Sequence, residues 1–332
     1  MSLVAVVPAC LSLCNHAQEA PELLPTRMSI TPLAPRGVVF QTLNPDLPSL
    51  PDFKAGMAVT IALSPDGQTL LVLTSGFNQN LDAGGNVDPA TSNEYVFVYD
   101  VSGGAPVKKR VMQIQTDAFD GLAWSPNRPE FYVSGGPDDE VHVFAWTGGS
   151  WNEKASIPLN HGGAGLGILG ILPVAAGLDA TGDGKHLLVA NYENDSVSAI
   201  DLTSYTVEGE LDLRPGIIDP ARSGQPGGSY PYWIAIKGND RAYVSSQRDR
   251  EVVVVDLKAL PSLRVIDRIR LPGQPNKMIL FWAGLKGEEV PYPVHRSGRN
   301  LRAHRRVLVA RATKRDGVRI AENQDTGAHK AR

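Results

Sequence analysis

A chain of 332 residues with 33 Gly, 25 Pro and only 20% charged side chains can bury a sizeable core, and it suits short strands and tight turns better than a helical bundle. Its formal charge of −3 is uneven: residues 281–332 hold twelve Lys/Arg against five Asp/Glu, or +7, which leaves −10 on residues 1–280 and argues against a phosphate-backbone surface spread over the body. Both cysteines, Cys10 and Cys14, lie near the N-terminus, so the body can contain neither a disulfide framework nor a cysteine-based metal site.

In chain order, apolar Leu3–Cys14 gives way to polar Asn15–Glu19, much like the end of a secretory signal. A basic n-region is missing, since the first Lys/Arg is Arg27, and the apolar run is too short to span a bilayer. Residues 1–27 are therefore expected to be a truncated signal-like segment and linker, with a poor lipoprotein box at Val7-Pro8-Ala9-Cys10 as the alternative. Nothing else in the chain is a transmembrane candidate, and the expected location is the periplasm or cell surface.

Four self-similar units follow. They begin at Ile61, Gly121, Ala176 and Trp233, and valines central to their second strands, Val72, Val133, Val189 and Val244, recur at spacings of 61, 56 and 55 residues. Each unit reads as strand, Asp/Asn/Gly turn, strand, polar loop, strand and fourth strand, with period-2 alternation clearest in Val197–Leu202 and Val252–Leu257. Such a unit cannot bury both faces alone, so the expected fold is all-β: a β-propeller of four-stranded antiparallel blades stacked around an axis over residues 28–280. A β-sandwich with fortuitous similarity is the competing architecture.

The unit Leu187-Leu188-Val189-Ala190-Asn191, with Asp195-Ser196-Val197 and Ile200-Asp201, resembles the YVTN repeat of seven-bladed bacterial propellers. Gly37–Pro45 followed by Ala58–Gly76 resembles the propeller half of exported proteins that join this domain to an alkaline-phosphatase-like phosphoesterase. The resemblance implies a seven-bladed type, here incomplete with four to five blades, and a possible phosphoesterase partner domain that this chain lacks. After Leu280 the pattern lapses into an Arg/His-rich run, so residues 281–332 are expected to be a basic tail, either a degenerate fifth blade echoed in Val307–Ala310 or, as favoured, a reading-frame slip that leaves the segment disordered.

Chemical motifs are sparse. Gly165-Leu-Gly167-Ile-Leu-Gly170 matches the dinucleotide fingerprint by letter but lies in a Gly-rich connector without a following helix. Asp179–Gly184 starts like a calcium loop but has Ala190 where the twelfth-position Glu belongs, so it reads as a turn. Asn78, Asn80 and Asp82 have ligand spacing but lack the required Gly and Glu, which leaves a solvated excursion. Outside the tail the histidines are His16, His142, His161 and His186, with no His-x-x-x-His or Glu-His pairing beside His142 or His186. Carboxylate pairs such as Asp138-Asp139 read as solvated loops. The tail's arginines have no interleaved aromatics for base stacking, so no nucleic-acid partner is expected.

Topology supplies the remaining candidates, because loops between second and third strands and connectors between blades line one mouth of a propeller channel. Asn191, Tyr232, Trp233, Gln247 and Arg248 are accordingly the candidate ligand-binding residues, with no catalytic residue, metal site or cofactor expected. The functional expectation is a non-catalytic binding or scaffold module for a protein or small-molecule ligand. A propeller lactonase-type hydrolase and a truncated fragment without stable function are the alternatives.

Overall fold

Wherever apolar residues alternate and an Asp, Asn or Gly turn ends the run, a strand forms. The computed structural model describes residues 41–76, 78–114, 117–161 and 173–282, together with the strands at 22–23, 29–30, 308–312 and 318–321. Leu3–Cys14, the Gly165–Gly170 connector and most of the Arg-rich tail lie outside the described residues. The chain divides into two units, residues 1–41 and 42–332. The first holds the short antiparallel pair β1 (Glu22–Leu23) and β2 (Ser29–Ile30).

The second unit holds four antiparallel four-stranded sheets, the blades of a β-propeller. The first comprises β3 (Ala58–Leu63), β4 (Thr69–Thr74), β5 (Glu94–Asp100) and β6 (Val107–Ile114). The second comprises β7 (Leu122–Trp124), β8 (Glu130–Ser134), β9 (Glu140–Thr147) and β10 (Ser150–Pro158). The third comprises β11 (Ala175–Ala180), β12 (His186–Asn191), β13 (Ser196–Asp201) and β14 (Thr206–Asp212), and the fourth β15 (Pro231–Lys237), β16 (Arg241–Ser246), β17 (Glu251–Asp256) and β18 (Arg264–Arg270). The marker valines occupy equivalent positions, with first-strand partners Ile61↔Val72, Leu122↔Val133, Leu178↔Val189 and Ile234↔Val244.

Burial on both faces of the middle strands holds the blades together. Leu71, Leu73, Val96 and Val98 of the first blade pack with Phe131, Val133 and Phe144 of the second. Tyr132, Val141 and Val143 then meet Leu187, Val189 and Ile200 of the third, and Leu188 and Val197 meet Val244, Val253 and Val255 of the fourth. Each such side chain contributes about 1.5–3 kcal/mol when removed from water. The outward face of the first blade, with Tyr95, Phe97 and Tyr99, is covered instead by Leu43, Leu47, Leu50, Phe53 and Ala55 of the lead-in segment, as a capping repeat end requires.

Polar turns add ties between blades. The Asn127 amide donates to Asp183 O at 2.6 Å, and Asp183 N donates to Asn239 Oδ1 at 2.9 Å, so the turn at Asp183 joins three blades. Asp179 accepts from Ile236 N of the next blade at 2.7 Å, and burial pushes its carboxyl up to about 6. Thr181 Oγ1 donates to Asp183 Oδ1 and Gly184 N to Thr181 O, hydrogen bonds that close the turn the sequence suggested there. The excursion carrying Asn80 and Asp82 also folds on itself: Asp82 Oδ1 accepts from Gly84 N and Asn86 N, while Asn78 is buried and bonds Gly56 N and Glu94.

After the fourth blade the pattern changes. β19 (Met278–Trp282) packs Met278 against Tyr243 and Val254, but it pairs in parallel with β20 (Leu308–Ala312), which pairs antiparallel with β21 (Val318–Ala321). The four blades are antiparallel throughout.

At the hub, glycine sets how closely the first strands approach. A Cβ on Gly177 would lie 2.6 Å from Trp233 Cα, and one on Gly121 would lie 2.2 Å from Ala176 O. Gly177→Ala is therefore expected to cost about 2 kcal/mol or more by forcing the third and fourth blades apart, read as a lowered urea midpoint. An unchanged midpoint would show that the hub is slack.

Candidate functional site

Because each blade is a meander, the loop after its second strand and the connector to the next blade leave the sheet at the same end. Two residues occupy matching places there. Asp120 and Tyr232 each precede a residue whose N–H donates to a second-strand serine, Gly121 to Ser134 Oγ at 2.9 Å and Trp233 to Ser245 Oγ at 3.0 Å. Lys277 comes directly before β19.

These side chains converge on the axis. The Tyr232 hydroxyl donates to Asp120 Oδ2, and Lys277 Nζ lies 3.0 Å from Asp120 Oδ1. Lys277 also donates to Val59 O and Thr60 Oγ1 at 2.5 Å, and its ammonium sits 4.9 Å from the centre of the Trp233 ring. Thr60 Oγ1 donates to Asp120 O at 2.7 Å. Asp120 thus gathers the first blade at its backbone carbonyl, and the fourth blade and the residue before β19 at its nearly buried carboxylate. Removing one partner of such a buried pair strands the other charge, at a cost of roughly 3–5 kcal/mol.

Beside the knot runs an aromatic rim. Tyr232 meets Phe119 edge-on at 6.1 Å and Tyr192 at 6.0 Å, and Tyr192 meets Tyr230 at 5.0 Å. The Tyr192 hydroxyl donates to Gln247 Oε1 at 3.2 Å, and the Gln247 amide donates to Asn276 Oδ1 at 3.2 Å, a chain that crosses from the third blade to the segment after the fourth. The Arg248 guanidinium lies 5.9 Å from the Tyr230 ring centre. Of the five candidate residues, Tyr232 and Trp233 stand at the axis, and Gln247 and Arg248 on the adjoining rim.

Asn191 lies apart. It ends β12, fully buried, and its amide donates to Ser196 Oγ and Ser198 Oγ at 2.9 Å, with His161 Nε2 3.2 Å away. Its side chain is turned into the third blade, whereas the sequence reading had placed it in the loop beyond.

His161 anchors a polar centre that the sequence reading missed. Its Nδ1 lies 2.5 Å from Asp139 Oδ1, its backbone N–H donates to Asp139 Oδ2 at 2.7 Å, and its Nε2 lies 3.2 Å from Glu210 Oε1. Burial opposes charge on the ring, but the hydrogen bonds to Asp139 and Glu210 outweigh it and push the His161 pKa up to about 9. Glu210 is held below the usual carboxylate range by the same bond. Asp139 is therefore no solvated loop carboxylate. The other described histidines are paired too: His142 Nδ1 with Glu153 on the adjacent strand at 2.8 Å, and His186 Nδ1 with Glu208, two strands away in the same sheet, at 2.5 Å. No local motif announces these pairs, because the partners lie 11, 22 and 49 positions away in sequence.

Partly buried carboxylates crowd the end of the molecule that carries these loops. Burial raises Asp195, with Asp212 and Asp249 adding repulsion, and burial together with Asp195 raises Glu193. Burial and then Asp138 raise Asp117. Among the described residues, no group of three or more His, Cys, Asp or Glu side chains is placed to hold a metal ion.

His161 gives the stability a pH dependence of defined sign. Its folded pKa lies above the unfolded value of about 6.5, so its contribution is complete below pH about 6.5 and disappears as pH rises through about 9. The stability advantage of the natural chain over His161→Gln, from urea unfolding, is expected to shrink by about 3 kcal/mol between pH 6 and pH 10. A constant difference would show that the ring is not charged in the folded state.

No protein-family pattern matches the chain, and no curated protein matches it in sequence. Solved structures similar to it include a protein from Lactobacillus plantarum, at 12% identity and TM-score 0.49, covering 66% of this chain and 57% of that one. A functionally unknown protein from Desulfotomaculum acetoxidans matches at 12% identity and TM-score 0.47, covering 68% and 60%. A putative 6-phosphogluconolactonase from Bacteroides uniformis matches at 14% identity and TM-score 0.47, covering 76% and 64%. The chain thus spans less than two thirds of the length of each of these structures.

Proposed function

We propose that this chain is a ligand-binding propeller module of an exported protein, with recognition at the channel mouth and no catalytic machinery of its own. The observation that carries this reading is the rim on which Tyr192, Tyr230, Gln247 and Arg248 of two adjoining blades are tied together beside the Tyr232–Asp120–Lys277 knot. Aromatic and guanidinium groups held rigidly by packing and hydrogen bonds give contact area at little entropic cost, the pattern of recognition anchors. Asp120, meanwhile, is engaged by both Tyr232 and Lys277, which favours a structural keystone over a carboxylate poised to transfer protons.

Export rests on the apolar Leu3–Cys14 stretch and its polar successor. The resemblance of Gly37–Pro45 and Ala58–Gly76 to phosphoesterase-linked propellers supports a partner role beside such a domain, with the partner or small ligand bound at the rim. The lactonase alternative would need the mouth carboxylates Asp117, Glu193 and Asp195 to act on a substrate.

Thermal-shift screening of small ligands against the natural chain and Arg248→Ala tests the reading. A ligand present at about 100 times its Kd should stabilise the natural chain by about 2.7 kcal/mol, and Arg248→Ala should lose most of that shift. Lactone hydrolysis above background that disappears in Glu193→Gln would overturn the non-catalytic assignment.

A further inference from the structure

A second concave surface, independent of the channel mouth, lies between the first and second blades at the opposite end of the sheets. β9 and β10 run on past their neighbours as a hairpin closed by Gly148 and Gly149, with φ of 61° and 80°, and this extension carries Trp146 and Trp151 as a directly opposed cross-strand pair. Their rings meet edge-on at 5.6 Å, and Trp124 meets Trp151 at 5.4 Å. Trp151 is buried against Phe131, whereas Trp146 keeps 48% of its surface in water.

Two adjoining hollows share these rings and Thr69. One, of about 390 Å³, runs between Trp146 and Trp151 and the first-blade residues Asp100, Lys109 and Arg110. The other, of about 350 Å³, continues past Trp124 to Asp66 and Arg128. Both volumes fall within the roughly 300–1,000 Å³ of small-ligand sites.

Opposite charges alternate along this groove. Its walls carry Asp66 and Asp100 against Lys109, Arg110 and Arg128; Lys109 lies 3.4 Å from Asp100, and Arg128 is spent on Leu202 O and Gly184 O at 2.7 Å. Asp66 and Asp100 are both held below the usual carboxylate range by hydrogen bonds from Ser64 and Ser102, so they remain ionised acceptors. A groove of nearly balanced charge, with a water-facing indole over an aromatic floor and ionised acceptors beside cationic donors on its walls, has little to attract a strongly charged ion. It suits a neutral molecule with an apolar ring face and many hydroxyls at its edge.

We propose that the groove between the first and second blades binds neutral oligosaccharide chains, a sugar ring stacking on Trp146 and its hydroxyls bonding Asp100 and Lys109. The sugar's C–H face covers the indole, and the two hollows in line take successive sugar units.

Calorimetry and tryptophan fluorescence on the intact chain, with cellohexaose, maltohexaose and chitohexaose as probes and a proline decapeptide and a heparin oligosaccharide as competitors for the reading, provide the test. At least one neutral hexasaccharide should bind with Kd below about 1 mM and shift the emission, and Trp146→Ala should weaken it roughly tenfold or more while Trp146→Phe keeps most of the affinity. Where Trp146→Ala lowers the melting midpoint, Asp100→Asn carries the test: sugar affinity should fall with the midpoint unchanged. The proposal is overturned if none of the three hexasaccharides binds, if binding is indifferent to both substitutions, or if only the proline peptide or only heparin binds. A Trp146 that merely braces its hairpin would move the midpoint and leave sugar affinity untouched.

Discussion

The middle strands of the second, third and fourth blades are dry on both faces, and the rest of the molecule follows from that constraint. Val96, Val133, Val189 and Val253 are all fully buried, and each is enclosed by residues of the neighbouring blade as well as its own. No blade can satisfy this alone, so the sheets must stack, and stacking fixes the pitch at which first strands arrive at the hub. Gly121 and Gly177 set that pitch by presenting bare backbone where the adjacent blade passes. With the first strands so close, side chains one position earlier, Asp120 and Tyr232, are brought within hydrogen-bonding reach across two blades. The axial knot is thus a by-product of core packing as much as of its own chemistry.

The two ends of the sheets differ in character for a physical reason. At one end, loops after the second strands and blade connectors crowd around the axis, and carboxylates such as Asp195 and Glu193 are squeezed together with loss of solvent. At the other, short turns built on Ser64-Pro65-Asp66 and Thr181–Gly184 are closed by side-chain hydrogen bonds, and the space between the first two blades opens outward beside the longer β9–β10 hairpin. One end therefore converges, and the other is grooved.

Much of this could be read from the residues. The marker valines recur because a blade needs the same apolar side chain at the same pleat, and a period of 55 to 61 residues is visible without any fold in hand. Tyr232 and Trp233 are legible as an aromatic pair at a blade connector, where packing against the channel wall and recognition are both open. Illegible were contacts that exist only after stacking: Asp120 with Lys277, or His161 with Asp139 and Glu210, join segments that share no local pattern. Asn191 shows the opposite limit, since a one-residue difference in where a strand ends decides whether an amide faces the opening or the sheet. The parallel pairing of β19 with β20 had no signal either, because alternation specifies a strand and not the direction of its neighbour.

Lys277 lies 218 positions after the backbone carbonyl it reaches at Val59. On a ribosome, the first two blades would emerge before either Tyr232 or that ammonium is synthesised, leaving the carboxylate of Asp120 without both partners in the interval. The knot at the centre of the molecule is thus finished late, by a side chain that arrives after all four blades, and the axis stays accessible to chaperones or solvent until translation has passed that codon.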